Sequence, residues 1–261
     1  GSSDEINLEI KKDIFYNLLR NKTYESYLSF PLIVEEAIIL HPKEPLFNLI
    51  LGDIYTKERN FSLAIEHYYR SLNSGVIKDE YVYNKLIEIN WQENRTDSII
   101  TISQAALDRF PFTPMFYYYQ GIALSNQGKH EQAIKTLLKG KDFIFDNDPL
   151  ISDFYSIIGN SYYELKNYPE SDEAYDLALE HNPNNTHVLN NYSYYLSVRE
   201  EKLSLAKKMI MKCLELTLNS PNPSYIDTYA WILYKLEEYE NAKIEIEKAI
   251  LLEDKSPVIL D

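Results

Sequence analysis

The chain has 261 residues, 45% of them hydrophobic and 13% aromatic, so it can bury a sizeable core and is not a disordered linker. Its formal net charge of −14 leaves no Lys/Arg surplus for phosphates, which makes nucleic acid and anionic membranes poor partners. A single cysteine, Cys213, excludes an internal disulfide and a cysteine-based zinc site, and no apolar run is long enough to cross a bilayer.

Small residues recur along the chain at a fixed spacing. The pairs are Gly52 and Ala64, Gly121 and Ala133, Gly159 and Ser171, and Ala230 and Ala242, each twelve residues apart, with Ser193 and Ala206 thirteen apart. A large residue follows each first member by three positions, and a further small residue follows each second member by seven. Small residues let two antiparallel helices approach closely where they cross, and large ones fill the adjacent grooves. The spacing therefore predicts a series of helical hairpins, with prolines such as Pro111 and Pro183 at their exits.

This pattern resembles the tetratricopeptide repeat, a helix–turn–helix unit of about 34 residues. The segment that begins at Ser152 fits best, and its in-register residues are Gly159, Tyr162, Ser171, Ala178 and Pro183. The resemblance covers nearly the whole chain. It implies an all-α fold, a right-handed superhelical solenoid of about seven antiparallel helix pairs.

In chain order, the repeat spacing divides the sequence into successive segments. Residues 1–10 are a lead-in that starts with Gly1-Ser2-Ser3, interpreted as the remnant of an expression tag, and 11–44 are a degenerate or capping pair. Six repeats follow, at 45–79, 80–113, 114–151, 152–185, 186–222 and 223–256. Because Pro257 lies 34 residues after Pro223, residues 257–261 are expected to begin a further, truncated repeat of a longer protein.

Two of these repeats depart from the common pattern. The repeat from Glu80 has Ile87 and Ile99 where small residues belong, so its helices are expected to pack more loosely. The repeat from Pro114 carries extra residues at 141–148, which are predicted to lengthen its second helix or its exit loop.

In the tetratricopeptide family the first helix of each pair lines the concave face, so the resemblance implies which side chains face a partner. The candidate partner-binding residues are Asp53, Tyr81, Glu88, Trp91, Tyr118, Asp153, Asn160, Tyr163, Asn190, Tyr194, Asp227, Trp231 and Tyr234. Both tryptophans of the chain are among them, four of the thirteen are acidic, and none is Lys or Arg. Aromatic anchors on a rigid surface favour peptide recognition, and acidic groups favour a neutral to basic protein or peptide. An equal alternative is that the aromatic rings pack between neighbouring first helices.

A carboxylate clamp, which binds chaperone C-termini in some members of this family, is rejected. Asn160 and Asn191 match the two asparagines of the clamp, but Ser156, Ser224 and Thr228 stand where its cations belong. Without those cations, a terminal carboxylate would meet acidic neighbours.

Catalytic and metal sites are weakly indicated. The five histidines show no metal-ligand spacing, and the sequence has no Gly-rich phosphate loop. Asp142, Asp146 and Asp148 lack the glycine and the terminal glutamate of a calcium loop, so a solvated acidic loop is the better interpretation. Cys213 falls at a small-residue position, which indicates packing. We therefore expect no enzyme activity, no metal and no cofactor.

The favoured function is a non-catalytic scaffold or adaptor that binds a partner segment in an aromatic, acidic concave groove. The alternative is a structural assembly module of a larger complex, which acts through its repeat ends or its convex face. Segments 191–196 and 227–234 resemble repeats of bacterial cell-envelope lipoproteins. That resemblance favours a bacterial, periplasmic setting and leaves the cytoplasm open.

Overall fold

The computed structural model describes residues 30–42, 44–73 and 80–253, together with positions 13 and 17. Within these ranges the chain forms thirteen α-helices and no β-strand, which confirms the all-α fold class. The predicted lead-in at 1–10 and the predicted further repeat at 257–261 lie outside the described residues, as does most of the segment 11–29.

The chain divides into two compact units, Gly1–Pro111 and Phe112–Asp261. The described helices of the first unit are α1 (Phe30–Leu40), α2 (Pro45–Lys57), α3 (Phe61–Asn73), α4 (Glu80–Gln92) and α5 (Thr96–Arg109). Those of the second unit are α6 (Pro114–Asn126), α7 (His130–Lys141), α8 (Asp148–Glu164), α9 (Tyr168–His181), α10 (Thr186–Val198), α11 (Leu203–Leu216), α12 (Pro223–Lys235) and α13 (Tyr239–Glu253).

Successive helices pack as hairpins, and each hairpin packs on the one before it within its unit. In the second unit α6 pairs with α7, α8 with α9, α10 with α11, and α12 with α13. The first helix of each hairpin also contacts both helices of the preceding one, so α10 lies on α8 and α9, and α12 lies on α10 and α11. This stacking makes the first helices neighbours along one side of the unit.

Glycines stand where the helices of a hairpin come closest. A Cβ atom added to Gly121 in α6 would lie 2.4 Å from Leu137 Cγ in α7, and one added to Gly140 in α7 would lie 2.2 Å from Tyr117 Cβ in α6. Both distances are too short for a side chain, so the backbone approach requires glycine at these positions. In α4 and α5, the branched Ile87 and Ile99 are buried where the other hairpins have small residues.

Local signals fix the ends of the helices. Asn185 and Asn222 precede α10 and α12, and their side-chain oxygens accept hydrogen bonds from the backbone N–H groups of Val188 (3.3 Å) and Ser224 (2.9 Å). Proline occupies the first turn of α2, α6, α8, α9 and α12. Its missing N–H group costs no hydrogen bond there, because the N–H groups of the first turn have no acceptor within the helix. The turn inside each of five hairpins contains one residue with φ between 54° and 72°; these residues are Arg59, Asn94, Gly128, Lys166 and Glu237.

The extra residues of the repeat from Pro114 do not lengthen its second helix. α7 ends at Lys141 and α8 begins at Asp148, so the added residues form the exit loop 142–147 and an additional first turn of α8. Asn147 caps that turn by accepting a hydrogen bond from the Leu150 N–H at 3.2 Å, and Asp148 pairs with His181 at 2.8 Å.

Candidate functional site

Asp53 in α2 joins three helices of the first unit. Tyr81 Oη in α4 donates to Asp53 Oδ1 at 2.8 Å, and Tyr68 Oη in α3 donates to the same oxygen at 2.7 Å. Burial raises the pKa of Asp53, and the hydrogen bonds from the two hydroxyls oppose that rise. This candidate carboxylate is therefore engaged within the chain.

Glu88 and Trp91 lie on α4, beyond Tyr81. Glu88 pairs with Lys85 at 2.8 Å, and the Lys85 ammonium also lies 5.7 Å from the centroid of the Tyr81 ring. Trp91 is 40% exposed. The candidate surface of α4 thus combines two exposed rings with an ion pair, and Lys85 adds a positive charge that the predicted positions did not include.

Tyr118 and Asp153 of the second unit are half-buried. The Tyr118 ring lies 5.2 Å from that of Phe154, and burial together with the nearby Asp153 raises the pKa of Tyr118 to about 12. Asp153 accepts a hydrogen bond from Asn185 Nδ2 at 2.9 Å. Both side chains take part in contacts between successive hairpins.

Asn160 and Tyr163 of α8 and Asn190 of α10 are half-buried as well. Asn160 Oδ1 accepts hydrogen bonds from Tyr175 Oη and, at 3.5 Å, from Asn191 Nδ2. The Tyr163 ring stacks on that of Tyr195. Asn190 donates to Asn191 Oδ1 at 3.1 Å. The Tyr163 ring thus packs between neighbouring first helices, the alternative that the sequence left open for the aromatic residues, and Asn160 also contacts α10.

The remaining candidates of the second unit are exposed and lie together. Tyr194, Trp231 and Tyr234, which we call the aromatic patch, are 44%, 38% and 52% exposed. The rings of Trp231 and Tyr234 stack with centroids 5.8 Å apart. With Asp227, the three rings line an open cavity of about 850 Å³.

Two lysines border the same cavity, although the predicted positions contained none. Lys235 Nζ lies 4.9 Å from the centroid of the Trp231 ring and 2.7 Å from Glu200 Oε1. Lys243 comes from α13, the second helix of its hairpin. Sequence reasoning missed both lysines because it considered only the inward positions of first helices. The one signal for Lys235 was its place directly after Tyr234.

Cys213 packs in the core of the second unit. Its side chain is fully buried, and its thiol donates to the carbonyl oxygen of Thr186 at 3.3 Å. Burial raises the pKa of the thiol to about 12, which disfavours the reactive thiolate. Over residues 30–253, as far as they are described, no group of three or more potential ligands could hold a metal ion. None of the helices in the same ranges combines the length and apolarity needed to span a membrane.

Stacked helical hairpins whose first helices display polar and aromatic side chains define a class, the helical-repeat proteins. Models of one such family, the tetratricopeptide repeat, match residues 152–185 and 225–256. These two segments are tetratricopeptide repeats, the family that the sequence pattern predicted. Comparison with curated proteins finds no match.

Several solved structures share the fold at low sequence identity. The C-terminal part of a TPR repeat-containing protein from Cytophaga hutchinsonii is 18% identical, with a TM-score of 0.65, covering 91% of this chain and 92% of that one. PilF of Pseudomonas aeruginosa is 16% identical, with a TM-score of 0.61 and coverage of 83% and 94%. YrrB, described as a TPR protein with an unusual peptide-binding site, is 16% identical, with a TM-score of 0.51 and coverage of 74% and 95%. At these identities the likeness shows the fold alone.

Proposed function

We propose that the chain is a non-catalytic scaffold that binds a segment of a partner protein, with the aromatic patch as its anchor site. One observation carries the proposal: four of the predicted partner-binding residues, Tyr194, Asp227, Trp231 and Tyr234, line one cavity of about 850 Å³. Tetratricopeptide repeats are a protein-interaction architecture, and YrrB, which shares the fold, is described as having an unusual peptide-binding site.

The aromatic patch has the physical properties of an anchor. Its rings leave between 38% and 52% of their surface exposed, so a partner gains apolar burial on contact. Trp231 stacks on Tyr234 and lies next to Lys235, which pairs with Glu200. Rings that are ordered before binding lose little entropy when the partner arrives, which favours tight contact at small area.

Most of the candidate carboxylates are paired within the chain. Asp53, Glu88 and Asp153 have hydrogen-bond or ion-pair partners within the chain, which reduces their availability to a ligand. At the cavity, Asp227 faces a surface that also carries Lys235 and Lys243. The neutral to basic partner therefore stays a prediction, as do the repeat boundaries, the periplasmic setting and the contribution of the candidates outside the patch.

Peptide selection on the purified chain tests the proposal directly. Displayed random peptides are selected on the wild type, and the affinities of the enriched peptides are then measured for Trp231→Ala and Tyr194→Ala. We expect each substitution to weaken binding by about tenfold or more, because anchor residues contribute at least ~1–2 kcal/mol. Trp91→Ala reports separately on the candidates of the first unit.

Phe145→Ala is the matched control, since Phe145 is 85% exposed and does not line the cavity. It should leave binding unchanged, and circular dichroism should show the same helix content for all four variants. Enriched peptides that bind Trp231→Ala and Tyr194→Ala as tightly as the wild type would refute the aromatic patch as the anchor.

A further inference from the structure

The second helix of the last described hairpin forms the other wall of the cavity. Tyr239, Ala242, Lys243 and Ile246 of α13 line it, and we call these four residues the end face. Among residues 30–253, as far as the structure describes them, α13 packs extensively only against α12. In the preceding hairpins of the second unit, the surface that corresponds to the end face is covered by the first helix of the next hairpin.

The hairpin α8–α9 shows how the corresponding surface is covered two positions earlier in the stack. Its repeat begins at Ser152 and the last one at Pro223, so residues 71 positions apart correspond. Tyr175, which corresponds to Ile246, stacks on Tyr192 of α10 with centroids 5.0 Å apart. Asp172, which corresponds to Lys243, pairs with Arg199 at 2.5 Å, directly after the end of α10.

The hairpin α10–α11 gives an independent second case. Lys207 follows Ala206 as Lys243 follows Ala242, and it occupies the same position of the second helix. Lys207 Nζ pairs with Glu238 at 2.6 Å, and Glu238 lies in the turn directly after α12. In both cases the charge at this position meets an opposite charge at the end of the covering first helix.

The apolar contacts of the covering helix also repeat. Tyr192 and Tyr195 of α10 pack against Tyr175, and Tyr229 and Ile232 of α12 pack in the core formed with α11. Each pair is three residues apart, the spacing that places two side chains on one face of a helix. The covering helix therefore presents two large apolar residues to the hairpin below and a charge beyond its last turn.

We propose that the end face takes an amphipathic helix of a partner protein, with two large apolar residues three apart against Ile246 and Tyr234 and a carboxylate against Lys243. The carboxylate follows from the charge, because Lys243 repeats Lys207, which meets a glutamate, and reverses Asp172, which meets an arginine. Within the described residues Lys243 has no ion-pair partner of its own. This inference rests on the proposed function, since the end face and the aromatic patch line the same cavity.

The chain itself supplies a probe for the experiment. A fluorescein-labelled peptide with the sequence of residues 222–238 carries α12 and the glutamate that meets a lysine, and its Glu238→Lys version reverses that charge. Fluorescence anisotropy with the intact chain should show the Glu238 peptide binding about two- to fivefold more tightly than the Lys version, the range for a partly exposed ion pair. Lys243→Glu should invert this preference.

Lys208→Glu provides the matched control, because Lys208 is an exposed lysine of α11 outside the cavity and the substitution changes the net charge equally. It should shift both peptides alike and leave their order unchanged. Equal binding of the two peptides by the wild type, or a Lys243→Glu variant that behaves like Lys208→Glu, overturns the inference. If Trp231→Ala still weakens binding of the selected peptides by about tenfold or more, the proposed function stands without this inference.

Two further outcomes would assign the end face to another occupant and overturn the inference. One is self-association: light scattering shows a dimer of the wild type, the Lys243→Glu variant is monomeric, and the labelled peptide does not bind the wild type. The other is probe binding that appears only after residues 254–261 are deleted, which would assign the face to that segment of the chain.

Discussion

The rings of Tyr163 in α8 and Tyr195 in α10 stack with their centroids 3.7 Å apart. Tyr163 occupies a position that the repeat pattern assigns to the concave surface, yet its ring holds one hairpin against the next. Tyr194, the neighbour of Tyr195 in sequence, is instead 44% exposed at the cavity. Tyrosine thus serves two tasks in this chain, contact between hairpins and display at the surface.

Removing the Tyr163 ring is expected to destabilise the second unit. Tyr163→Ala should lower the free energy of unfolding by about 1–3 kcal/mol, because the stack and the half-buried ring area are both lost. Tyr163→Phe keeps the ring and should cost less than about 0.5 kcal/mol. Urea unfolding followed by circular dichroism measures both, and equal losses for the two variants would contradict a role for the stack.

Two helix glycines should respond differently to alanine. A Cβ atom at Gly140 would lie 2.2 Å from Tyr117 Cβ, which is close to the backbone and has little freedom to move, so Gly140→Ala should destabilise by about 1–3 kcal/mol. At Gly159 the nearest atoms are 3.1 Å away on the Tyr175 ring. The higher helix propensity of alanine, about 1 kcal/mol, should offset that contact and leave Gly159→Ala near neutral.

Thermal unfolding of the two variants side by side tests this difference. Gly140→Ala should melt several degrees lower than Gly159→Ala. The reverse order would show that the distance between the crossing helices is not set by these glycines.

The ion pair between Asp172 and Arg199 should matter more than the exposed pairs. Only 7% of the Arg199 side chain and 16% of the Asp172 side chain are exposed, and Arg199 also lies 4.9 Å over the Tyr168 ring. Asp172→Asn leaves a buried cation, with Glu201 at 3.5 Å as a remaining partner, so a loss of about 3 kcal/mol is expected.

A double-mutant cycle with Arg199→Met isolates the pair. The double variant should recover part of the stability lost in Asp172→Asn, because it removes the buried charge that the single substitution leaves. Strictly additive losses in urea unfolding would show that the two side chains do not interact energetically. The exposed pair Arg70–Glu66 is the control, and breaking it should cost less than about 1 kcal/mol.

Cys213 should be unreactive in the folded chain. With its pKa raised by burial from 9.0 to about 12, the thiolate fraction at pH 8 falls about a thousandfold. Reaction with Ellman's reagent should therefore be very slow in buffer and complete within minutes in denaturing urea. Rapid labelling of the native chain would contradict both the burial and the packing role of this thiol.

Much of the fold was predictable because it depends on local spacing. The pairs Gly121–Ala133 and Gly159–Ser171 mark where two neighbouring helices cross, and the prolines mark where each pair ends. These signals lie within about 34 residues of one another, so the family and the all-α class follow from the sequence. The loop at 142–147 was less predictable, because its extra residues suited a longer second helix as well as a longer exit loop.

The candidate site was predictable only in part, because position in a repeat does not fix whether a side chain is covered. Tyr163 and Trp231 both occupy inward positions of a first helix, but α10 lies on the first and no described helix covers the second. The expected charge of a partner at Lys243 was likewise not predictable from the sequence. It follows from the ion pairs Asp172–Arg199 and Lys207–Glu238 at the corresponding positions, and these pairs form only in the folded chain. The sequence by itself determined the repeat and its hairpins, and the family resemblance predicted which residues face inward. The tertiary structure decided which of those residues contact the next hairpin and which stay exposed, because the burial of a side chain depends on the next helix in the stack as well as on its position in the repeat.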